Sequence, residues 1–279
     1  MTDPMVSTEW LAERLGDANL RVIDASWFFP HENTDAGVAF EAAHIPGAVA
    51  FDIDTVADHS TDLPHMLPTP HEFAEAVGAL GVSNESTVVV YDQIGLRSAG
   101  RLWWTFRVMG HASVFVLDGG LPKWRAEGRP VESGATNPTA ATFHPSFQPH
   151  LVRSIDDVRA ALENGEQVAD ARPAGRFTGE APEPREGLRG GHMPGARSTP
   201  MGSLLNSDQT LKSSDELKAV FDAAGVDPAA PVITSCGSGI TAAVVSLALA
   251  RLGGEGAVYD GSWTEWGGRE DTPVVTGAA

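Results

Sequence analysis

The sequence predicts an α/β protein made of two tandem domains, each a mainly parallel sheet flanked by helices. Short β-branched runs alternate with helical patterns along the chain, which is the arrangement typical of parallel sheets. One order of sequence signals also occurs twice, and residues 132–150 between the copies are rich in Pro, Thr, Ser and Ala, as interdomain linkers are. We therefore expect a first domain over residues 1–135, a linker over 136–150 and a second domain over 151–279.

The repeat consists of four blocks that follow one another in the same order in both halves. Each block keeps its pattern of apolar and turn residues, so the two halves are expected to share one fold. The alignment places Asp92 of the first half at the position of Cys236 in the second. The blocks are residues 22–25 with 168–171, 44–48 with 192–196, 88–92 with 232–236, and 118–124 with 260–266.

Two segments carry clear helix signals. Thr69, Pro70 and Glu72 supply an N-cap, a first-turn proline and a capping-box carboxylate ahead of an apolar periodic run, which predicts a helix. Residues 240–252 are rich in Ala, Val and Leu and are followed by two glycines, which predicts a largely buried helix with a glycine stop. This second helix follows a strand pattern after a short loop, so the loop should lie at the carboxyl edge of a sheet.

Composition and charge limit the functions that the chain can have. Of the 279 residues 42% are hydrophobic and 20% are charged, which is typical of a soluble globular protein. The sequence has no run of about 18 apolar residues, so we expect no membrane-spanning segment. The formal net charge of -18 argues against nucleic acid and anionic membranes, which bind cationic surfaces. Residues 1–7 lack the basic and apolar runs of a targeting signal, so we expect a cytoplasmic protein.

The single cysteine, Cys236, is the main candidate for chemistry. One cysteine excludes an internal disulfide, and such a residue is either a small buried hydrophobe or a nucleophile. Cys236 begins the loop 236–241, Cys-Gly-Ser-Gly-Ile-Thr, between a predicted strand and a predicted helix, where ligands collect in open α/β sheets. The glycines let successive N–H groups point inward, and these groups favour a thiolate together with the helix N-terminus. The loop therefore favours the nucleophile.

The loop and the repeat together resemble the tandem-rhodanese sulfurtransferases. The loop is similar to the Cys-Gly-Ser-Gly-Val-Thr form carried by the 3-mercaptopyruvate sulfurtransferase branch of that family, from which it departs at Ile240. The resemblance covers nearly the whole chain and implies two rhodanese-like domains. Further segments similar to the family are residues 51–54, 65–68, 101–104, 175–177, 183–185 and 259–263.

The resemblance implies an enzyme that moves sulfane sulfur from 3-mercaptopyruvate, through a persulfide on Cys236, to a thiol or cyanide acceptor, with release of pyruvate. Because Asp92 cannot accept sulfur, the first domain would be catalytically silent and would help to form the cleft. The implied catalytic residues are Cys236 and a relay of Ser238, His65 and Asp54. The implied substrate-binding residues are Arg176 and Arg185, for the carboxylate and carbonyl of the donor, and Gly237, Gly239, Ile240 and Thr241 of the loop.

These residue types suit the implied chemistry. Removal of sulfur from mercaptopyruvate leaves an enolate, which an imidazole oriented by a carboxylate can protonate near neutral pH. Guanidinium groups bind oxyanions through paired N–H donors. No cofactor is implied, and one cysteine with scattered histidines gives no metal-ligand spacing. The expected partners are a small-molecule sulfur donor and, as acceptor, a thioredoxin-like protein or a small thiol.

The same residues argue for or against three other functions. A thiosulfate sulfurtransferase would share the fold, but that enzyme typically has basic residues after the cysteine, where Gly237 and Ser238 are neutral. A cysteine phosphatase needs an arginine six residues after the cysteine, where Ala242 stands. A non-catalytic sulfur carrier stays open as a third function, favoured if Arg176 and Arg185 hold no donor.

Overall fold

The computed structural model describes residues 3–278, and within them two parallel sheets of five strands each are formed. The first sheet contains β1 (Met5–Val6), β2 (Leu20–Asp24), β3 (Val49–Ala50), β4 (Thr87–Tyr91) and β5 (Val114–Leu117). The second contains β6 (Val152–Arg153), β7 (Gln167–Asp170), β8 (Arg197–Ser198), β9 (Val232–Ser235) and β10 (Gly256–Tyr259). Their orders are β1-β5-β4-β2-β3 and β6-β10-β9-β7-β8, which is the same topology twice. The predicted α/β architecture of two tandem domains is confirmed.

Helices flank both sheets. Within residues 3–278 none of them combines the length and the hydrophobicity needed to cross a bilayer. Those of the first half are α1 (Thr8–Ala12), α2 (Ala36–Ala42), α3 (Pro70–Ala79), α4 (Ala99–Val108) and α5 (Gly120–Ala126). Those of the second half are α6 (Ile155–Glu163), α7 (Ala174–Thr178), α8 (Ser214–Ala224), α9 (Ala242–Arg251) and α10 (Ser262–Gly268).

Both helices predicted from local signals are present. At the start of α3 the Glu72 N–H donates to Thr69 Oγ1 at 3.3 Å, and the Thr69 N–H donates to the Glu72 carboxylate at 2.9 Å. This reciprocal capping box satisfies two of the N–H groups that a helix start leaves free. Helix α9 begins at Ala242, slightly after the predicted start at Ile240, because Ile240 still belongs to the loop, and it is buried along almost its whole length.

Helices α4 and α9 pack against each other and join the two domains. A Cβ atom on Gly100 of α4 would lie 3.2 Å from the Val244 side chain of α9, so the glycine permits the close approach of the helices. Gly100 and Val244 are aligned by the repeat, and the domains are therefore related by an approximate two-fold axis at this crossing.

Two interdomain hydrogen bonds are related by the same approximate two-fold axis. The Leu67 N–H of the first domain donates to Asp260 Oδ2 of the second at 2.8 Å. The Leu211 N–H of the second domain donates to Asp118 Oδ1 of the first, also at 2.8 Å. The repeat aligns Leu67 with Leu211 and Asp118 with Asp260, so each domain holds the segment before α3 or α8 of the other.

The segment after α5 packs on the first domain. Residues 135–148 contain no helix or strand, but Phe143 is buried and its ring lies 5.9 Å from that of Phe73 and 6.3 Å from that of Phe106. The predicted linker is thus held in the core of one domain, while the exact domain limits stay a prediction.

Candidate active site

Cys236 lies at the carboxyl edge of the second sheet. It directly follows the end of β9 at Ser235, is 3% exposed and forms no disulfide. The loop 236–241 then leads into α9, so the thiol lies beside the first turn of a ten-residue helix.

The segment that follows β10 holds the cysteine loop in place. The Cys236 N–H donates to Ser262 Oγ at 3.2 Å, and the Trp263 N–H donates to the Cys236 carbonyl at 3.0 Å. The Thr264 N–H and hydroxyl donate to the Gly237 carbonyl at 2.9 and 2.7 Å. Four backbone and side-chain donors thus fix the start of the loop before any ligand binds.

The two glycines of the loop lie close to other residues, and Gly239 is required by its surroundings. Gly239 has a φ of +79°, and a Cβ there would lie 2.7 Å from Arg101 Nη1 and 3.0 Å from the Asp260 carbonyl. Left-handed backbone of this kind favours glycine. A Cβ on Gly237 would lie 3.1 Å from Arg176 Nη2. Arg176 therefore lies directly against the cysteine loop.

His65 and Asp54 of the first domain form a pair in which the histidine is buried and the carboxylate reaches solvent. His65 Nδ1 lies 2.6 Å from Asp54 Oδ1, and the two side chains are 4% and 58% exposed. The Trp27 indole N–H donates to Asp54 Oδ2 at 3.0 Å, and the Trp27 and His65 rings meet edge to face at 5.0 Å. Trp27 therefore orients both partners. Among the described residues His65 Nε2 has no polar partner, and the Nδ1 contact with Asp54 is close in distance without the alignment of a full hydrogen bond.

The Asp54 carboxylate is stabilised as an anion. Burial by itself raises the pKa of Asp54, but contact with His65, the Trp27 N–H and the charge of Arg185 lower it, and the net pKa lies below the ordinary value. The Asp54 carboxylate contacts Nδ1 and so holds the orientation of the His65 ring, with Nε2 on the opposite side.

Ser238, the third member of the predicted relay, is buried in the cysteine loop. Within residues 3–278 its hydroxyl forms no hydrogen bond with His65. The structure thus assembles His65 with Asp54, and the relay through Ser238 stays a prediction. Ile240 is buried beside the same loop, and Thr241 is half-buried at the start of α9.

Arg176 is held by a buried carboxylate. Its Nε and Nη2 groups donate to Glu183 Oε2 at 3.1 and 2.5 Å. Glu183 Oε1 accepts from Arg172 Nη1 at 2.8 Å, and Arg172 is in turn paired with Asp170 at 2.6 Å. This chain of alternating charges leaves the Arg176 guanidinium at the loop with its Nη1 group outside the pair with Glu183.

Arg185 lies in the electrostatic field of Cys236. Burial lowers the pKa of Arg185, the charges of Cys236 and Asp54 act in the opposite sense, and the charge of Arg176 lowers it. Arg185 is therefore close to the thiol, to the second arginine and to the carboxylate that contacts His65. Two neighbouring guanidinium groups favour an anionic ligand.

Sequence reasoning missed the groups that support these residues. Trp27, Arg172 and Glu183 were not assigned roles, although each lies at or near the carboxyl end of a strand or in a motif already noted. The sequence signal for Arg172 is its position shortly after the end of β7, at the carboxyl edge of the sheet. Next to Arg176 and Thr241 a pocket of about 350 Å³ also opens between the domains. Among the described residues no three side chains of His, Cys, Asp or Glu converge as a metal site.

The first domain fills the equivalent loop with the carboxylate of Asp92. Asp92 directly follows β4 and is fully buried. Both of its oxygens accept backbone N–H groups from the residues that lead into α4. Oδ1 accepts from Ile94 at 3.0 Å and Gly95 at 2.9 Å, and Oδ2 accepts from Arg97 at 2.7 Å, Ser98 at 2.9 Å and Ala99 at 3.0 Å.

A family model described as Rhodanese-like domain matches residues 7–127 and again residues 154–269. Two such domains, each with a parallel sheet of the same topology, account for most of the chain, and the chain belongs to the rhodanese family. The second match contains the loop that begins at Cys236.

Full-length relatives narrow the class to sulfurtransferases with two such domains. The chain is 45% identical to the 3-mercaptopyruvate sulfurtransferase of Escherichia coli (strain K12), over 96% of each chain. It is 44% identical to Thiosulfate/3-mercaptopyruvate sulfurtransferase 2 of Arabidopsis thaliana, over 98% of this chain and 86% of that protein. The crystal structure of SseA from Escherichia coli, a 3-mercaptopyruvate sulfotransferase, matches with a TM-score of 0.86 at 43% identity, covering 94% of this chain and 99% of that one.

Proposed function

We propose that this chain transfers sulfane sulfur from 3-mercaptopyruvate through a persulfide on Cys236 to a thiol or cyanide acceptor and releases pyruvate. The observation that carries the proposal is the convergence, at one loop, of a buried thiol, two guanidinium groups and an imidazole paired with a carboxylate. Each of the three parts serves a different need of that reaction.

The two arginines would hold the donor. Mercaptopyruvate carries a carboxylate and a neighbouring carbonyl, and both can accept N–H donors from Arg176 and Arg185. Because Glu183 fixes Arg176 through Nε and Nη2, the arginine is pre-organised and loses little freedom on binding. The donor sulfur would then face Cys236.

Sulfur transfer would proceed by attack of the Cys236 thiolate on the donor sulfur. A sulfur–sulfur bond forms, and the donor carbon–sulfur bond breaks with its electron pair left on carbon as a pyruvate enolate. His65 would protonate that carbon, with its charge stabilised by Asp54, so that one proton is consumed and pyruvate leaves. The donor S–H proton stays on the persulfide until it dissociates.

The Asp92 loop supports a persulfide at Cys236 by analogy within the molecule. Each Asp92 oxygen is two bonds from Cβ, and the outer sulfur of a persulfide on cysteine is also two bonds from Cβ. A cradle of N–H groups in the cysteine loop would stabilise that sulfur as an anion. By the repeat, the aligned N–H groups are those of Ser238, Gly239, Thr241, Ala242 and Ala243.

The acceptor would be a thioredoxin-like protein or a small thiol. A free nucleophilic cysteine that must be regenerated works in a reducing compartment, which supports a cytoplasmic location. One test is fractionation of cells followed by immunodetection, and recovery of the chain in a membrane or organelle fraction would overturn that location.

Donor choice is tested by two assays on the purified protein. Pyruvate release from mercaptopyruvate with a thiol acceptor is compared, as kcat/KM, with thiocyanate formation from thiosulfate and cyanide. The neutral Gly237 and Ser238 predict a preference for mercaptopyruvate, since thiosulfate carries two charges next to the transferred sulfur. A larger kcat/KM for thiosulfate would favour the second candidate, thiosulfate sulfurtransferase, an activity included in the Arabidopsis relative's name.

A further inference from the structure

We infer that Arg101, a residue of the silent domain, is a positioning residue that aligns His65 with the cysteine loop. The inference rests on the proposed function, because it assigns Arg101 to the proton step of that reaction. Arg101 is 2% exposed and comes from helix α4, which is the first domain's half of the helix crossing.

The Arg101 guanidinium contacts three groups from three different segments. Its Nη2 group donates to the His65 carbonyl and is paired with Asp260 Oδ1 at 2.7 Å. Its Nη1 group donates to the Gly239 carbonyl of the cysteine loop at 3.4 Å. The stacked ring of Trp104, 4.5 Å from Cζ, sets the plane of the guanidinium. One rigid cation therefore connects the histidine to the loop that carries the nucleophile.

Asp260 extends this connection to the other side of His65. Its second oxygen accepts the Leu67 N–H at 2.8 Å. The short segment from His65 to Leu67 is therefore held at its first carbonyl by Arg101 and at its last N–H by Asp260. His65 has a φ of +61°, a left-handed conformation that costs a non-glycine residue free energy and persists only when its surroundings enforce it.

A second site, formed by the Asp92 loop of the first domain and by Gln209 of the second, supplies an internal control and is called the Asp92 site below. The repeat aligns His65 with Gln209, which also has a positive φ, +65°. The Leu211 N–H donates to Asp118 there, as the Leu67 N–H donates to Asp260. The left-handed residue and the aspartate contact thus occur in both halves and belong to the architecture.

The arginine occurs at the Cys236 site and not at the Asp92 site. The residue aligned with Arg101 is Val245 of α9. Since the Asp92 site keeps the left-handed residue and the interdomain hydrogen bond without an arginine, Arg101 is not needed for that backbone shape. It is present where the histidine and the cysteine are present, which points to a role in their alignment.

The test is a double-mutant cycle on pyruvate release from mercaptopyruvate. Arg101→Lys keeps the charge beside Asp260, but one ammonium cannot span all three acceptors. It is expected to lower kcat about tenfold to a hundredfold, because a shift of about 1 Å in a proton donor has effects of that size, while KM changes less than about twofold. In a His65→Gln background the same substitution should lower kcat by less than about threefold, because residues that act through one another are not additive.

A second pair of variants keeps the inference testable if Arg101→Lys does not fold. Asp260→Asn removes the charge that holds Arg101 but keeps an oxygen for the Leu67 N–H, and it should lower kcat with KM nearly unchanged. Asp118→Asn makes the same change at the Asp92 site and should leave kcat unchanged. Arg107→Lys, on α4 but stacked on Trp103 at 5.0 Å, is the matched arginine control and should also leave kcat unchanged.

The possible results separate this inference from the proposed function. No pyruvate from the wild type would overturn the proposed function and this inference with it. Pyruvate from the wild type with an undiminished kcat in Arg101→Lys or in Asp260→Asn would overturn the inference alone. An Arg101→Lys effect equal in size with and without His65 would also overturn it, because a purely structural loss is independent of the histidine.

Discussion

The loops that begin at Asp92 and Cys236 occupy the same position in two domains of the same topology, yet only one offers a nucleophile. The Asp92 carboxylate accepts five backbone N–H groups and is fully buried. In the second domain the shorter thiol of Cys236 replaces the carboxylate at the aligned position. The comparison teaches that one backbone loop can either enclose a side-chain carboxylate or present a thiol, and the prediction that the first domain is silent depends on that difference.

The residues that face the two loops also differ in chemistry. His65 faces the second domain where Gln209 faces the first, and both have a positive φ. The register of β3 and β8 aligns Asp54 with Gly202. The site around the Asp92 loop therefore keeps the backbone of the Cys236 site but has neither the histidine nor the carboxylate paired with it.

The largest expected effect follows from removal of the thiol. Cys236→Ser should abolish pyruvate release, because serine is a poor nucleophile toward sulfur and cannot store a persulfide. The measurement is kcat with mercaptopyruvate, with circular dichroism to show that the variant is folded. Activity that survived in the folded serine variant would place the nucleophile elsewhere.

Removal of the Asp92 carboxylate should destabilise the fold, and it should not affect the sulfur-transfer reaction directly. Asp92→Ala leaves five N–H groups without their acceptor and should lower the free energy of unfolding by at least about 3 kcal/mol. Urea denaturation measures the change. The control is Asp208→Ala, since exposed Asp208 accepts from Thr210 alone and should cost less than about 1 kcal/mol. Equal losses in the two variants would show that the Asp92 cradle is not a stabilising feature.

The arginine pair should affect donor binding more than turnover. Arg185→Ala is expected to raise KM for mercaptopyruvate about tenfold or more, since it removes a charge-assisted contact of about 1.5–3 kcal/mol. Arg176→Ala should raise it less, because the Arg176 charge is already compensated by Glu183. Steady-state kinetics measure KM for both variants. The control is Arg159→Ala, because Arg159 forms ion pairs with Asp156 and Asp271. An unchanged KM in both arginine variants would mean that the donor is held elsewhere.

The smallest effect is expected at the Asp92 site. Gln209→His places a histidine opposite the Asp92 loop, but Asp92 still fills that loop and Gly202 supplies no carboxylate. The variant should keep kcat and KM within about twofold of the wild type, as exposed positions away from a site do. A second sulfur atom on the protein, or a marked gain in kcat, would show that the Asp92 loop can take part in sulfur transfer.

Much of the fold could be predicted because it depends on local patterns. The Thr69 capping box and the glycine stop after α9 are short-range signals, and the repeat made each half a check on the other. The loop after β9 can also be predicted from short-range signals, since strand, glycines and helix lie within a few residues of Cys236.

The remaining features depend on contacts between distant residues. Arg101 meets Gly239, and Glu183 lies between Arg172 and Arg176, but a buried arginine and an exposed one look alike in a sequence. The partner of Ser238 could not be predicted either, because a hydroxyl needs only a small rotation to change its acceptor.

The central claim, that Cys236 carries the sulfur and that the Asp92 loop cannot, is tested most directly by mass spectrometry of the protein after incubation with mercaptopyruvate alone. The account predicts one added sulfur atom per chain, located by proteolysis on the peptide that contains Cys236, and none in Cys236→Ser. Added sulfur on any other peptide, or sulfur retained by the serine variant, would contradict it.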